Sequence, residues 1–233
     1  MKAKNDEMDK VFYAIIVAGG SGVRMGGDVA KQFISLGEKP VIVHTIERFL
    51  SLPFGVEIIL VVPSDYKEYW KEYCFENRFV FRHTLVSGGI TRFHSVRNAI
   101  KYIKPDSLVA VHDGVRPFVT AGFITELYKL AEDKGAVVPV ISPSDSMRVR
   151  ADKEGATCRV DRNDYFLVQT PQVFKSNLLI EGYKQAYNPC FTDDASVVEK
   201  MGHPIFLTQG SVTNIKLTRK EDLQLAQAIL SVF

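Results

Sequence analysis

IIVAGGSGVRMGGDVAKQF, residues 15–33, starts as an apolar run and breaks into glycines. Ile15, Ile16 and Val17 are aliphatic at consecutive positions, the pattern of a strand buried on both faces. Gly19, Gly20, Gly22, Gly26 and Gly27 follow within nine residues, and Arg24 and Lys31 add positive charge. Glycine lacks Cβ, so its backbone can approach a ligand closely. A run of such residues turns successive N–H groups into one concavity that suits phosphate. A strand that feeds such a loop is expected to open an α/β sheet, where ligands bind at the carboxyl ends of the strands. The two common glycine motifs do not fit. G-x-G-x-x-G, begun at Gly20 and Gly22, meets Met25, and the P-loop pattern on Gly22 and Gly27 requires Lys where Asp28 stands.

The rest of the chain repeats the strand signal. VFYAIIVA (11–18), VEIILVV (56–62), HTLVSGG (83–89), LVAVHD (108–113) and AVVPVI (136–141) are short and rich in Val and Ile. Amphipathic stretches over 41–51, 65–77, 92–103 and 121–134 lie between them and predict helices. The alternation predicts an α/β fold: a Rossmann-like, mostly parallel sheet with helices on both faces. Residues 142–170 break the rhythm. Two alternating patches, MRVR and TCRV, flank a turn-like ADKEG and predict a projecting hairpin too poor in apolar residues to stand alone. We expect it to pack on a second copy of the chain. Helices near 176–187 and 194–201, strands near 204–208 and 213–217, and a helix near 220–231 complete a single domain over 1–233.

Composition narrows the function. With 29 basic and 27 acidic side chains among 233 residues, the net charge of +2 argues against broad nucleic-acid or membrane binding, so any anion site must be local. No apolar run reaches the roughly 18–20 residues a membrane span needs. Cys74, Cys158 and Cys190 form no C-x-x-C pair, which fits a reducing cytoplasm better than a disulfide or zinc framework. The polar opening MKAKNDEMDK is not a secretory signal. Asp113 ends a buried strand beside the glycine loop, where an acid suits a Mg²⁺ ion or its water shell, or equally a turn or helix cap. His112 reads as a structural histidine, Arg92 as a solvated helix charge as readily as a ligand, and Asp193 and Asp194 as helix N-terminal residues.

The longer phrase AGG-x-G-x-RMGG-x-x-AKQF resembles the signature loop of the sugar-phosphate nucleotidyltransferases. The match is closest to the cytidylyltransferases that act on 2-C-methyl-D-erythritol 4-phosphate. It continues in order through GG-x-x-R-x-x-SV (88–96), VHDGVRPFV (111–119), the D-S pair (145–146), VDRNDY (160–165), QTPQVF (169–174), FTDDASVVE (191–199) and NIKLT (214–218). Two departures stand out: Ala30 replaces a usual proline, and Gly114-Val115 replaces a frequent Ala-Ala and also looks like related enzymes that use ribitol 5-phosphate.

The resemblance implies attack of a phosphate monoester on the α-phosphorus of CTP, giving a CDP-linked polyol and pyrophosphate with Mg²⁺. It implies that Arg24 and Lys31 stabilise the α-phosphoryl group, with Lys216 and Arg162 also catalytic. Ala18, Gly19, Gly20, Ser21, Gly22, Gly88, Gly89, Ser95 and Asp113 would bind CTP, and Asp113 would hold the metal. Asp113, Arg116, Thr192 and Lys216 of one subunit and Ser146 and Arg162 of the other would hold the acceptor in a homodimer. Thr170 is a weaker candidate. A monoester already carries an anionic oxygen, since its second pKa is about 6, so the chemistry asks for cations and alignment rather than a base. A ribitol-phosphate enzyme and a catalytically silent nucleotide-binding module stay open, while a dinucleotide-dependent dehydrogenase fails on the missing fingerprint.

Overall fold

The computed structural model describes residues 10–20 and 30–233. At its centre, β1 (Phe12–Val17) is buried on both faces: Ala14 and Ile16 enter one core, Tyr13 and Ile15 the other. After β1 come a small antiparallel hairpin of β2 (Ser35–Leu36) and β3 (Lys39–Pro40), then α1 (Val41–Leu50). β4 (Glu57–Val62) pairs in parallel with β1, and β5 (His83–Ser87) extends the sheet outward from β4. Between them runs α2 (Lys67–Glu76). The chain then returns through α3 (Arg92–Ile100) to lay β6 (Leu108–Asp113) on the other edge of β1, with Val17 opposite Asp113. Strand order therefore reverses between β1 and β6, the place where open α/β sheets bind ligands.

The helices cover both faces, as the rhythm predicts. α1, α2 and α4 (Ala121–Lys134) bury Ile42, Ile46, Phe49, Trp70 and Leu127 on one side. α3, α5 (Ser176–Gly182) and α6 (Asp194–Glu199) bury Phe93, Val96, Leu179 and Val197 on the other. α4 has clear punctuation: the Thr120 side chain accepts from the Phe123 N–H, and Gly135, at φ 87°, ends the helix. α7 (Lys220–Leu230) closes a third cluster with Leu36, Val41, Phe118 and Leu217.

Beyond β6 the sheet departs from the expected order. β7 (Ala136–Ile141) does not touch β6 directly; β11 (Gln172–Lys175) lies between them, antiparallel to both. β8 (Arg148–Arg150) and β9 (Thr157–Arg159) form the expected hairpin, every residue of it exposed. β10 (Leu167–Val168) returns to pair antiparallel with β7, so the last residues of the expected 142–170 arm belong to the main sheet. β12 (Phe206–Gln209) adds in parallel to β7. The strand expected at 213–217 does not form. Its backbone is used locally instead: Leu217 N–H donates to the Val115 carbonyl, and the Asn214 carbonyl accepts from Arg116. The helix expected over 176–187 stops at Gly182, which packs against Val197 and Met201 of the neighbouring helical segment.

Candidate active site

A cleft of about 390 Å³ opens at the β1–β6 switch point. Ala18, Gly19, Gly20, Lys31, Gly89, Ser95, Asp113 and Lys216, all expected from sequence, line it together with Gln32 and Arg92. Two loops meet there backbone to backbone. A Cβ on Gly19 would sit 3.0 Å from Ser95 Oγ and 3.4 Å from Gly88 Cα. A Cβ on Gly89 would fall 2.4 Å from His94 Cβ, which no rotamer change relieves. Gly88 is thus demanded by the close approach of Gly19 after β1, and Gly89 by the first turn of α3, rather than by conformational freedom. Ser95 is the clasp: its Oγ accepts from Gly89 N–H and donates to the Thr91 carbonyl, both at 3.0 Å. The N-cap of α3 is Thr91, whose side chain accepts from the His94 N–H. Buried Gln32 donates from Nε2 to the carbonyls of Ala18 (2.7 Å) and Gly20 (3.3 Å), tying the segment after the glycine loop to the strand before it.

Charge concentrates on Asp113. Its Oδ2 lies 2.9 Å from Lys216 Nζ and 3.4 Å from Arg116 Nε, and its Oδ1 lies 3.6 Å from Arg92 Nε. Burial alone would raise its carboxyl pKa, but Arg92, Lys216 and Arg116 together hold it well below the ordinary carboxylate range. Asp113 is therefore an anion at any physiological pH. Arg92 also donates from Nη2 to Asp194 Oδ2 at 2.6 Å, and Tyr183 Oη donates to Asp194 Oδ1 at 2.6 Å. Asp194 is fully buried, and Asp193 supplies the capping box of α6 with Ser196. Arg92 is thus a fixed cation of the cleft rather than a solvated helix charge. Its carboxylate partner lies 102 residues away, a pairing no local pattern signals.

Behind Asp113 runs a fully buried polar relay. The Asp113 N–H donates to Thr170 Oγ1 at 3.0 Å, and Thr170 Oγ1 lies 3.1 Å from His112 Nδ1. His112 Nε2 lies 3.1 Å from the Arg116 carbonyl, which can only accept. The proton therefore sits on Nε2, and Thr170 donates to Nδ1. Burial pushes the imidazole down to about 4, so the ring stays neutral. Asn214 Nδ2 donates to the Thr170 carbonyl at 2.9 Å, and Arg116 Nη1 to the Asn214 carbonyl at 2.7 Å. Arg116 is buried in this network and does not line the cleft. His112 serves structure, as expected, and Thr170 proves to be its orienting partner. A Cβ on Gly114 would fall 3.0 Å from Ala18 Cβ, so the residue after Asp113 is confined by the end of β1.

Three expected residues lie elsewhere. Thr192 is exposed just before the Asp193 cap. Ser146 and Arg162 line a second cleft of about 450 Å³ on the arm, with Arg148 and Arg159. Arg162 donates to the Ser144 carbonyl there. Ser21, Gly22 and Arg24 lie outside the described residues. Among the described residues no group of three or more potential metal ligands gathers, and Asp113 is the only carboxylate lining the main cleft.

Comparison with known proteins gives a consistent result. Residues 12–232 match the family described as 2-C-methyl-D-erythritol 4-phosphate cytidylyltransferase. A relative so named from Phocaeicola vulgatus is 50% identical over 218 residues, covering 94% of this chain and 99% of its own. One from Porphyromonas gingivalis is 47% identical over 225 residues, covering 96% of this chain and 100% of its own. Among solved structures, 4-diphosphocytidyl-2C-methyl-D-erythritol synthase from Anaerococcus prevotii superposes with a TM-score of 0.81 at 28% identity, covering 95% of this chain and 96% of that one.

Proposed function

Because the chain belongs to the 2-C-methyl-D-erythritol 4-phosphate cytidylyltransferase family, we propose that it joins CTP and 2-C-methyl-D-erythritol 4-phosphate. The products are 4-diphosphocytidyl-2-C-methyl-D-erythritol and pyrophosphate, a step of isoprenoid biosynthesis. The observation that carries the reading is the cluster of Lys31, Arg92, Asp113 and Lys216 in one cleft beside the glycine backbone. An oxygen of the acceptor phosphate forms a new bond to the α-phosphorus, and the bond to the β-phosphate's bridging oxygen breaks. Fixed cations offset the charge that gathers on the α-phosphoryl oxygens. Lys31 and Arg24 take that role, and the amides near Gly19 and Gly20 hold the outer phosphates. No base is needed, and His112, behind Asp113, has both ring nitrogens engaged.

Mg²⁺ fits this site. A magnesium ion takes one or two carboxylates and completes its shell with phosphate oxygens and water. Asp113 Oδ2 carries Lys216 and Arg116, while Oδ1 has Arg92 Nε only at 3.6 Å, beyond hydrogen-bond reach. Asp113 would hold the ion, which would draw charge from the triphosphate oxygens. Lys216 supplies a further positive charge on the acceptor side.

The second cleft supports a homodimer in which Ser146 and Arg162 complete the partner's acceptor site. Tyr165, Phe166, Leu167 and Val168 are 43–50% exposed along the arm's return, an apolar strip that a second copy would cover. A cytoplasmic location fits three free cysteines, two of them exposed. No helix among the described residues is long and apolar enough to cross a membrane.

The test is pyrophosphate release from CTP and Mg²⁺ with each of two acceptors, 2-C-methyl-D-erythritol 4-phosphate and ribitol 5-phosphate. The first is expected to support turnover and the second not. Preference for ribitol 5-phosphate would overturn the substrate and keep the mechanism; binding of CTP with neither acceptor active would mark a silent module.

A further inference from the structure

Ala30, the residue before Lys31, is 1% exposed, and its N–H donates to Tyr66 Oη at 3.0 Å. The same tyrosine's ring stacks on Phe33, centroids 5.1 Å apart and planes within 8°. One side chain thus grips the chain on both sides of Lys31, by its hydroxyl at 30 and by its ring at 33. Between those points a 3₁₀ turn, Lys31–Phe33, is closed by Phe33 N–H on the Ala30 carbonyl at 2.8 Å. Tyr66 is itself firmly seated. It ends a 3₁₀ turn directly after β4, its N–H donates to the Pro63 carbonyl at 3.0 Å, and Tyr69 packs edge-on against both Phe33 and Tyr66. Tyr66 therefore carries the position of β4, the strand beside β1, to the residue next to Lys31.

We infer that Tyr66 is a positioning residue for Lys31, acting through the Ala30 N–H; this rests on the catalytic reading of Lys31 above. Tyr66 is not among the residues that line the cleft. It fixes where the backbone of a charge-stabilising lysine starts, and small misplacements of such groups are costly. Ala30 offers an unusual handle. At φ −61° and ψ 136° it has a conformation that proline adopts, so Ala30→Pro deletes the donor while holding φ in place.

Tyr66→Phe keeps the ring stack and removes the hydroxyl. It is expected to lower kcat about five- to tenfold with KM for the acceptor unchanged. In an Ala30→Pro background the same substitution should change kcat by less than about twofold, because the bond it removes is already gone. An equal loss in both backgrounds, or no loss in either, overturns the inference. Hydrogen exchange at the Ala30 amide gives a reading that does not depend on Ala30→Pro folding. Exchange about tenfold faster in Tyr66→Phe supports the grip, and unchanged exchange overturns it. Lys31→Met runs alongside. A silent Lys31→Met sinks the catalytic reading and this inference together, whereas a crippled Lys31→Met beside an unaffected Tyr66→Phe sinks the inference alone.

Discussion

The cleft and the arm use the same kinds of residue in opposite ways. In the cleft, Asp113, Arg92 and Lys216 answer one another within a single chain, and the buried Arg116, Asp194, Thr170 and His112 fix them from behind. On the arm, Arg148, Arg159 and Arg162 line a cleft with Ser146, while all six residues of the β8–β9 hairpin are exposed. A two-stranded hairpin is at best marginal alone in water. The contrast teaches that one chain builds the electrostatic centre from its own residues, while the arm presents arginines whose complement the proposed dimer would supply.

The largest test breaks the contrast at its catalytic end. Lys31→Met should lower kcat about a hundred- to thousandfold while CTP affinity, read by calorimetry, changes far less. Mixing then separates the two regions. Lys31→Met and Arg162→Ala homodimers should each be nearly inactive, but an equal mixture after subunit exchange should recover about a quarter of wild-type turnover, since half the dimers then hold one intact site. No recovery would place Arg162 in its own chain's site and remove the dimer argument.

Stability measurements sharpen the buried side. Asp113→Asn leaves Arg92, Arg116 and Lys216 without their common anion and should cost about 3 kcal/mol in urea unfolding at neutral pH. The folded-state pKa of Asp113 is depressed, so its contribution is complete above the unfolded value near ~4 and fades only as pH falls through the lower folded value. His112 acts at milder pH. It is neutral when folded down to about 4 but charges near ~6.5 when unfolded, so the unfolded state binds more protons between those values. Stability should fall as pH drops from about 6.5 to 4, by up to about 3 kcal/mol. His112→Asn should flatten that slope in a pH series of unfolding curves. The smallest effect belongs to Gly89→Ala, which must displace His94 and should cost about 1–3 kcal/mol.

Much of this was legible because the parallel half of the sheet is built from local signals. Aliphatic runs, helix periodicity and the glycine loop place β1, β4, β5 and β6, and with them the switch point. β11 was not legible. Gln172 to Lys175 is short and half polar, and its pairing with β6 needs contacts more than 60 residues distant, such as Gln172 with Val111. Within the site, Lys31, Asp113 and Lys216 could be named from motif order. Gln32, Thr170 and Asn214 could not be given their roles, since each acts by bonding a backbone atom that only the fold brings near. The strand expected at 213–217 failed for a related reason: its carbonyl and amide groups are claimed by the loop after Asp113.

The placement of β11 gives the molecule an internal tether. Arg162 leaves the arm, and Thr170, whose hydroxyl receives the Asp113 amide, follows only a few positions later along the same backbone. Between the two, β10 is paired with β7, so the main sheet anchors the backbone that leads from the arm to the floor of the reaction chamber.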